Sequence, residues 1–173
     1  MSSILKVNTL QDGGGNAIIT SDGSGNLTTQ NILTPSFLVK LSSNQTIGSG
    51  SSVKVQLDSE VYDTDNAFDN STNYRFTVPS DKAGKYVFHL SGRTDIADAK
   101  AAYIFVKKND TLIHRSFQGV SKSNGSTTVY LSASVVTNLV AGDYIELFIF
   151  QDTGSNQLAY SEHCSLAGYR IGS

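Results

Sequence analysis

Alternation of large apolar with small or polar residues constrains this chain more than anything else. It is clearest in the stretch from Asp65 to Leu90, DNAFDNSTNYRFTVPSDKAGKYVFHL. Phe68, Tyr74, Phe76 and Val78 fall along extended segments, Pro79 and the Asp81-to-Gly84 cluster interrupt them, and Tyr86-Val87-Phe88-His89-Leu90 resumes. A period of two marks half-buried β-strands. The expectation is a pair of strands joined by the Pro/Gly turn, at the centre of an antiparallel sheet.

Other segments repeat the pattern. Phe37–Leu41, Val53–Leu57, Ala102–Lys107, Thr111–Ile113, Thr127–Val136, Asp143–Phe150 and Ser165–Ile171 all read as strands, separated by polar or glycine-bearing turns such as Asn109-Asp110. Eight or so strands without a helical period predict an all-β, antiparallel jelly-roll sandwich. Residues 1–33 differ. Ile4, Leu5 and Val7 form a short apolar run, and Ile18-Ile19-Thr20 and Leu27-Thr28-Thr29 flank Asp22-Gly23-Ser24-Gly25-Asn26, the pattern of a hairpin. So few apolar side chains cannot bury a core alone, so this segment is expected to lean on copies of itself, on the main domain or on a larger assembly. Thr34-Pro35 marks the boundary, giving an attachment segment at 1–33 and a jelly roll at 34–173.

Composition narrows the function. Charged residues are only 16% of the 173 and the formal net charge is −2, with no basic run, which argues against a phosphate-binding nucleic-acid surface. The longest apolar run, Leu147-Phe148-Ile149-Phe150, is far short of the ~20 residues of a membrane span. With one cysteine, Cys164, no disulfide can form within the chain. The N-terminus lacks the pattern of a signal peptide. These features lead to the expectation of a soluble protein made in a reducing cytoplasm.

No constellation of catalytic or metal-binding residues stands out. His89, His114 and His163 lie in separate segments without metal-ligand spacing, and neighbours such as His163 and Cys164 would point to opposite faces of a strand. Asp58, Glu60, Asp63, Asp65 and Asp69 invite a calcium reading, but the glycine-and-glutamate loop of a calcium hand is absent and Asx turns account for them; Asp95 and Asp98 receive the same reading. No G-x-S-x-G elbow or phosphate-binding glycine loop in its proper context is present. Accordingly no catalytic residue, metal or cofactor is expected, and the chain is read as no enzyme.

Two resemblances add to this. Asn66, Phe68, Asp69, Thr72, Phe76, Thr77 and Pro79, followed by Gly84, Tyr86 and Phe88, resemble the N-x-F-D-x-x-T-x-x-F-T-x-P…G-x-Y-x-F run of the complement-q globular head, a jelly roll related to the tumour-necrosis-factor fold. Leu139 to Leu147 is similar to that family's L-x-x-G-D-x-V-x-L stretch, and Leu166 to Ile171 to its closing strand, so the resemblance covers about residues 37–173. It implies a homotrimer and adds, for Tyr86, Phe88, Tyr130 and Tyr169, a place at the threefold seam, where aromatic residues are enriched, beside the default reading that they pack in the core of one chain. Lys6 to Asp12, Gly14 to Asn16, Ile18, Ile19 and Ser21 to Asn26 resemble N-terminal segments of tail-fibre and other virion proteins of tailed phages. That resemblance implies attachment to other virion proteins through the N-terminal segment.

Together they lead to the expectation of a trimeric fibre, spike or knob of a phage virion, made in the host cytoplasm. It would contact a host-surface glycan or protein through the polar loops 42–52, 92–100, 118–126 or 152–163. The alternatives are a capsid decoration protein, a soluble complement-q-like recognition module, and an enzyme on a β-sandwich, the last requiring a pair of carboxylates at a cleft.

Overall fold

The computed structural model describes residues 7–29, 35–96, 100–119 and 127–172. The chain divides into two compact units, Met1–Ile32 and Leu33–Ser173. The expectations for Ile4, Leu5, Asp98 and most of the loop 118–126 fall outside the described residues.

The first unit holds β1 (Thr9–Gln11), β2 (Ala17–Ser21) and β3 (Leu27–Thr29), an antiparallel meander in that order rather than a single hairpin. Its two turns share one design. The Asp12 carboxylate accepts hydrogen bonds from the Gly14 and Asn16 backbone N–H groups and from the Asn16 amide, and Asp22 accepts the equivalent bonds from Ser24 and Asn26. The Asn16 and Asn26 amides, with the backbone N–H groups, hold both carboxyls below the usual carboxylate range. Asx turns of this kind close a bend without apolar burial.

The second unit is built from β4 (Ser36–Lys40), β5 (Gln45–Ile47), β6 (Ser51–Lys54), β7 (Ser59–Asp63), β8 (Phe68–Asp69), β9 (Arg75–Thr77), β10 (Gly84–Ile96), β11 (Ala101–Lys108), β12 (Thr111–Gly119), β13 (Thr127–Leu139), β14 (Tyr144–Gln151), β15 (Gln157–Ala159) and β16 (Ser165–Gly172). A five-stranded sheet runs β13-β10-β16-β4-β7. A six-stranded sheet runs β12-β11-β14-β9-β8, with β6 also paired to β14, and β15-β5 form a small ribbon. All pairings are antiparallel, and the core lies between the two large sheets: the jelly-roll sandwich expected from the alternation.

One expectation needs correction. The segments flanking Pro79 do not pair with each other: β9 joins β8 and β14 in one sheet, whereas β10 joins β13 and β16 in the other. The turn between them therefore crosses the sandwich. Phe76 and the β10 aromatics meet across the core, with ring centres 5.6 Å from Tyr86 and 5.9 Å from Phe88. Phe37 stacks on Phe76 at 4.9 Å and Phe68 closes the cluster. Each such ring contributes on the order of 1.5–3 kcal/mol by leaving water.

The Ala141-Gly142-Asp143 segment has a structural role. Asp143 accepts from the Val140 N–H at 2.8 Å and from the Asn109 side chain at 2.7 Å, and it pairs with Lys108 at 2.8 Å. It thereby clamps the tight β11–β12 turn, where Asn109 and Asp110 both take positive φ of 47° and 64°. Asn and Asp tolerate that conformation best after glycine.

Tyr86 links burial to pH. It is wholly buried, and its hydroxyl donates to the Lys82 carbonyl at 2.6 Å. Burial pushes its phenol up to about 12, against an ordinary value of about 10. The unfolded chain ionises this group first, so its contribution to stability is complete below about pH 10 and is lost as the pH rises toward 12. Tyr144 and Tyr160, raised by hydroxyl bonds to Asp110 and Asp95, add to the same fall. Urea midpoints measured from about pH 9 to 11.5 should therefore decline, and Tyr86→Phe should flatten part of that decline; an unchanged slope would remove Tyr86 as a source.

Candidate functional site

Two large faces of the sandwich point away from the core, one on each sheet. On the five-stranded sheet the outward positions follow from register. Val136, Val87 and Tyr169 lie in one row across β13, β10 and β16, and Ser134, His89, Ala167, Leu38 and Tyr62 form the next, continuing onto β4 and β7. Val136 and Tyr130 are each 64% exposed and Tyr169 37%, so the strip is an apolar surface left open by a single chain.

Toward one end of this face stands Arg93. Its guanidinium lies 4.2 Å from the Tyr160 ring centre and 5.7 Å from that of Tyr130, its neighbour in register. Tyr130 in turn meets the His163 ring edge-on at 5.2 Å. Tyr160 donates its hydroxyl to Asp95 at 2.6 Å, and Thr128 donates to the same carboxylate. The buried Nε of Arg93 has no hydrogen-bond partner among the described residues. His89 is bonded to Ser134 at 2.8 Å and packs near Tyr169.

The four expected seam residues thus separate. Tyr130 and Tyr169 lie on the open face. Tyr86 and Phe88 are 0% exposed within one chain and offer no surface to a neighbour. The parity of β10 decides this: Tyr86, Phe88 and Leu90 point into the core, so Val87, His89 and Arg93 are the strand's outward residues. The signal that would have found them is the same alternation, read from the opposite parity.

The expected loops also change. Gly92–Ile96 continues β10 and is no loop, because these residues stay paired with Thr127–Leu131 of β13; Gly92 faces inward, where a Cβ would meet the Ile104 side chain at 2.8 Å. The segment 152–163 contains β15, and 42–52 contains β5 and the start of β6. The acidic cluster is engaged in turns. Asp63 accepts from the Asp65 and Phe68 N–H groups, Asp69 from those of Ser71, Thr72 and Asn73, and Asp58 from Ser42. Backbone donors at Thr72 and Ser71 hold the Asp69 carboxyl well below the usual range. Among the described residues no three His, Cys, Asp or Glu side chains converge on a metal-sized site. Cys164 is buried, and burial pushes its thiol up, away from the thiolate that nucleophilic chemistry requires.

The fold has solved counterparts. The chain is similar to the globular domain of zebrafish complement 1qA protein, with a TM-score of 0.54 at 19% identity over 79% of this chain and 96% of that one. It is also similar to the Eiger TNF of S. frugiperda (0.54, 10%, 80% and 94%) and to murine APRIL (0.56, 13%, 79% and 98%). No family model and no curated protein matches. At these identities the likeness establishes architecture: the chain carries a jelly roll of the complement-q and TNF type.

Proposed function

We propose that the jelly-roll unit is a non-enzymatic recognition head of the complement-q type that works as a homotrimer. The observation that carries this is the apolar strip of Val136, Val87, Tyr169, Leu38 and Tyr62 on the outward face of the five-stranded sheet. Apolar side chains spread over several strands of one face are what a subunit seam needs, and the likeness to complement-q and TNF heads supports the same use of that sheet. Sedimentation equilibrium on the chain should return three times the chain mass. Val136→Glu with Tyr169→Glu should return a folded monomer, because like charges would then be buried without partners in the seam. A wild-type monomer, or a trimer indifferent to both changes, would overturn the reading.

A second reading places this head on a phage particle as a fibre, spike or knob, facing a host-surface glycan or protein. The first unit favours it: Leu10 and Ile18 on its three-stranded sheet, and Val7 just before it, remain about half exposed. A unit of that kind suits docking onto other virion proteins. Its check is a chain beginning at Pro35, which should keep its oligomeric state yet fail to enter particles. Incorporation without residues 1–34 would count against attachment through this segment.

A further inference from the structure

The outer face of the six-stranded sheet carries a different surface. Register sets Tyr103 opposite Phe150 and Phe105 opposite Phe148, and the rings of the two pairs stack with centres 5.2 and 5.4 Å apart. Arg115, opposite Phe105 on β12, holds its guanidinium 4.7 Å from the Tyr103 ring centre, and Lys107 Nζ lies 4.4 Å from that of Phe148. A cleft of about 310 Å³ opens among Tyr103, Phe105, Phe150, Lys107 and Arg115. That is the size of a small-ligand site, at the lower end of the ~300–1,000 Å³ range.

Charge and ring chemistry together select the occupant. Among the described residues neither Lys107 nor Arg115 is in an ion pair, whereas Lys54 on the same face is engaged by the buried Glu146. On a chain of net charge −2, two cations without carboxylate partners over one aromatic cleft make a local site for an anion. Arg115 is exposed and its contact with the Tyr103 face is weak, so an anion can replace it, while Lys107 is half-buried over Phe148. The aromatic faces are electron-rich and accept the C–H face of a sugar ring, while a guanidinium fork and an ammonium match a carboxylate or sulfate.

We propose that this cleft binds an acidic saccharide, with one sugar ring against Tyr103 and Phe150 and its carboxylate or sulfate held by Lys107 and Arg115. The inference rests on the head being a recognition module, but it needs no trimer, since the cleft belongs to one chain and to the sheet opposite the proposed seam.

The test is calorimetric titration of the full chain with a galacturonic-acid trisaccharide, sialyllactose and a sulfated disaccharide, beside a neutral galactose trisaccharide at the same salt. At least one acidic probe should bind tenfold or more tighter than the neutral one, roughly 1.4 kcal/mol. Lys107→Gln with Arg115→Gln should remove about that preference, and Tyr103→Ala should weaken both classes. Arg75→Gln, which alters the cation over Tyr144 outside the cleft, should change nothing. The proposal is overturned by equal binding of the neutral sugar or by unchanged affinity in the double variant. It is overturned equally by no binding of any acidic probe at about 10 mM, or by displacement with equimolar inorganic sulfate, which would mark a plain anion site. Sedimentation of the same samples separates the two readings, because a trimer without sugar binding removes only this one.

Discussion

Replacing Phe37 by alanine should lower the stability of the jelly-roll unit by about 3–5 kcal/mol. The ring is 0% exposed on β4 and touches three others, Phe76 at 4.9 Å, Phe68 at 5.4 Å and Phe88 at 6.3 Å. Those partners come from both sheets, so they cannot close over the void without moving the sheets together. Natural domains hold only about 5–15 kcal/mol in total, so this one change would remove a large share. The measurement is the urea midpoint at constant slope, since an altered slope would signal a changed unfolded or native state. A loss below about 1 kcal/mol would be that of a surface site and would contradict the position of Phe37 between the sheets.

Gly168→Ala should destabilise by about 1–3 kcal/mol, although alanine for glycine in a strand ordinarily gains 0.5–1 kcal/mol from the backbone. The sign reverses because a Cβ there would lie 2.6 Å from Phe88 Cδ1 and 2.7 Å from Phe37 Cε1. Both atoms belong to buried rings wedged between sheets, so neither can step aside into solvent. The two predictions are coupled. With Phe37 already shortened to alanine, one of the two clashes is gone, and Gly168→Ala should cost less by at least about 0.5 kcal/mol in a double-mutant cycle. Strict additivity would mean that the Phe37 ring does not rest on Gly168.

Much of this architecture is legible in the sequence. The alternations at Phe37–Leu41, Ala102–Lys107 and Ser165–Ile171 fall on β4, β11 and β16, and the turn residues Asn109-Asp110 sit at a real reversal. The short strands β5, β7 and β15 are not legible, because three to five polar-rich residues carry too little pattern to stand apart from a loop. The continuation of β10 through Gly92-Arg93-Thr94-Asp95 was hidden for a related reason. Its inward residues are Gly92, where a Cβ would meet the Ile104 side chain, and the buried Thr94, and neither is a large apolar residue. On the faces, nothing in the sequence marks Arg93, Val87 and Val136 as outward, and of the two places open to Tyr86 and Phe88, core and seam, the structure gives them the core. The cleft at Tyr103, Lys107 and Arg115 depends on three strands lying side by side, a fact of pairing that no single segment records.

By itself, the sequence determined that the chain is all-β and where its main strands lie. A period of two reports that one face of a strand is buried, and it does so locally. Only the tertiary structure decided which sheet each strand joins and which parity faces the core. Only it decided that Tyr130 and Tyr169 look outward while Tyr86 and Phe88 look in. Those choices depend on which distant strand supplies the opposing side chains, and in an antiparallel sandwich that partner is selected by packing across the core, far away along the chain.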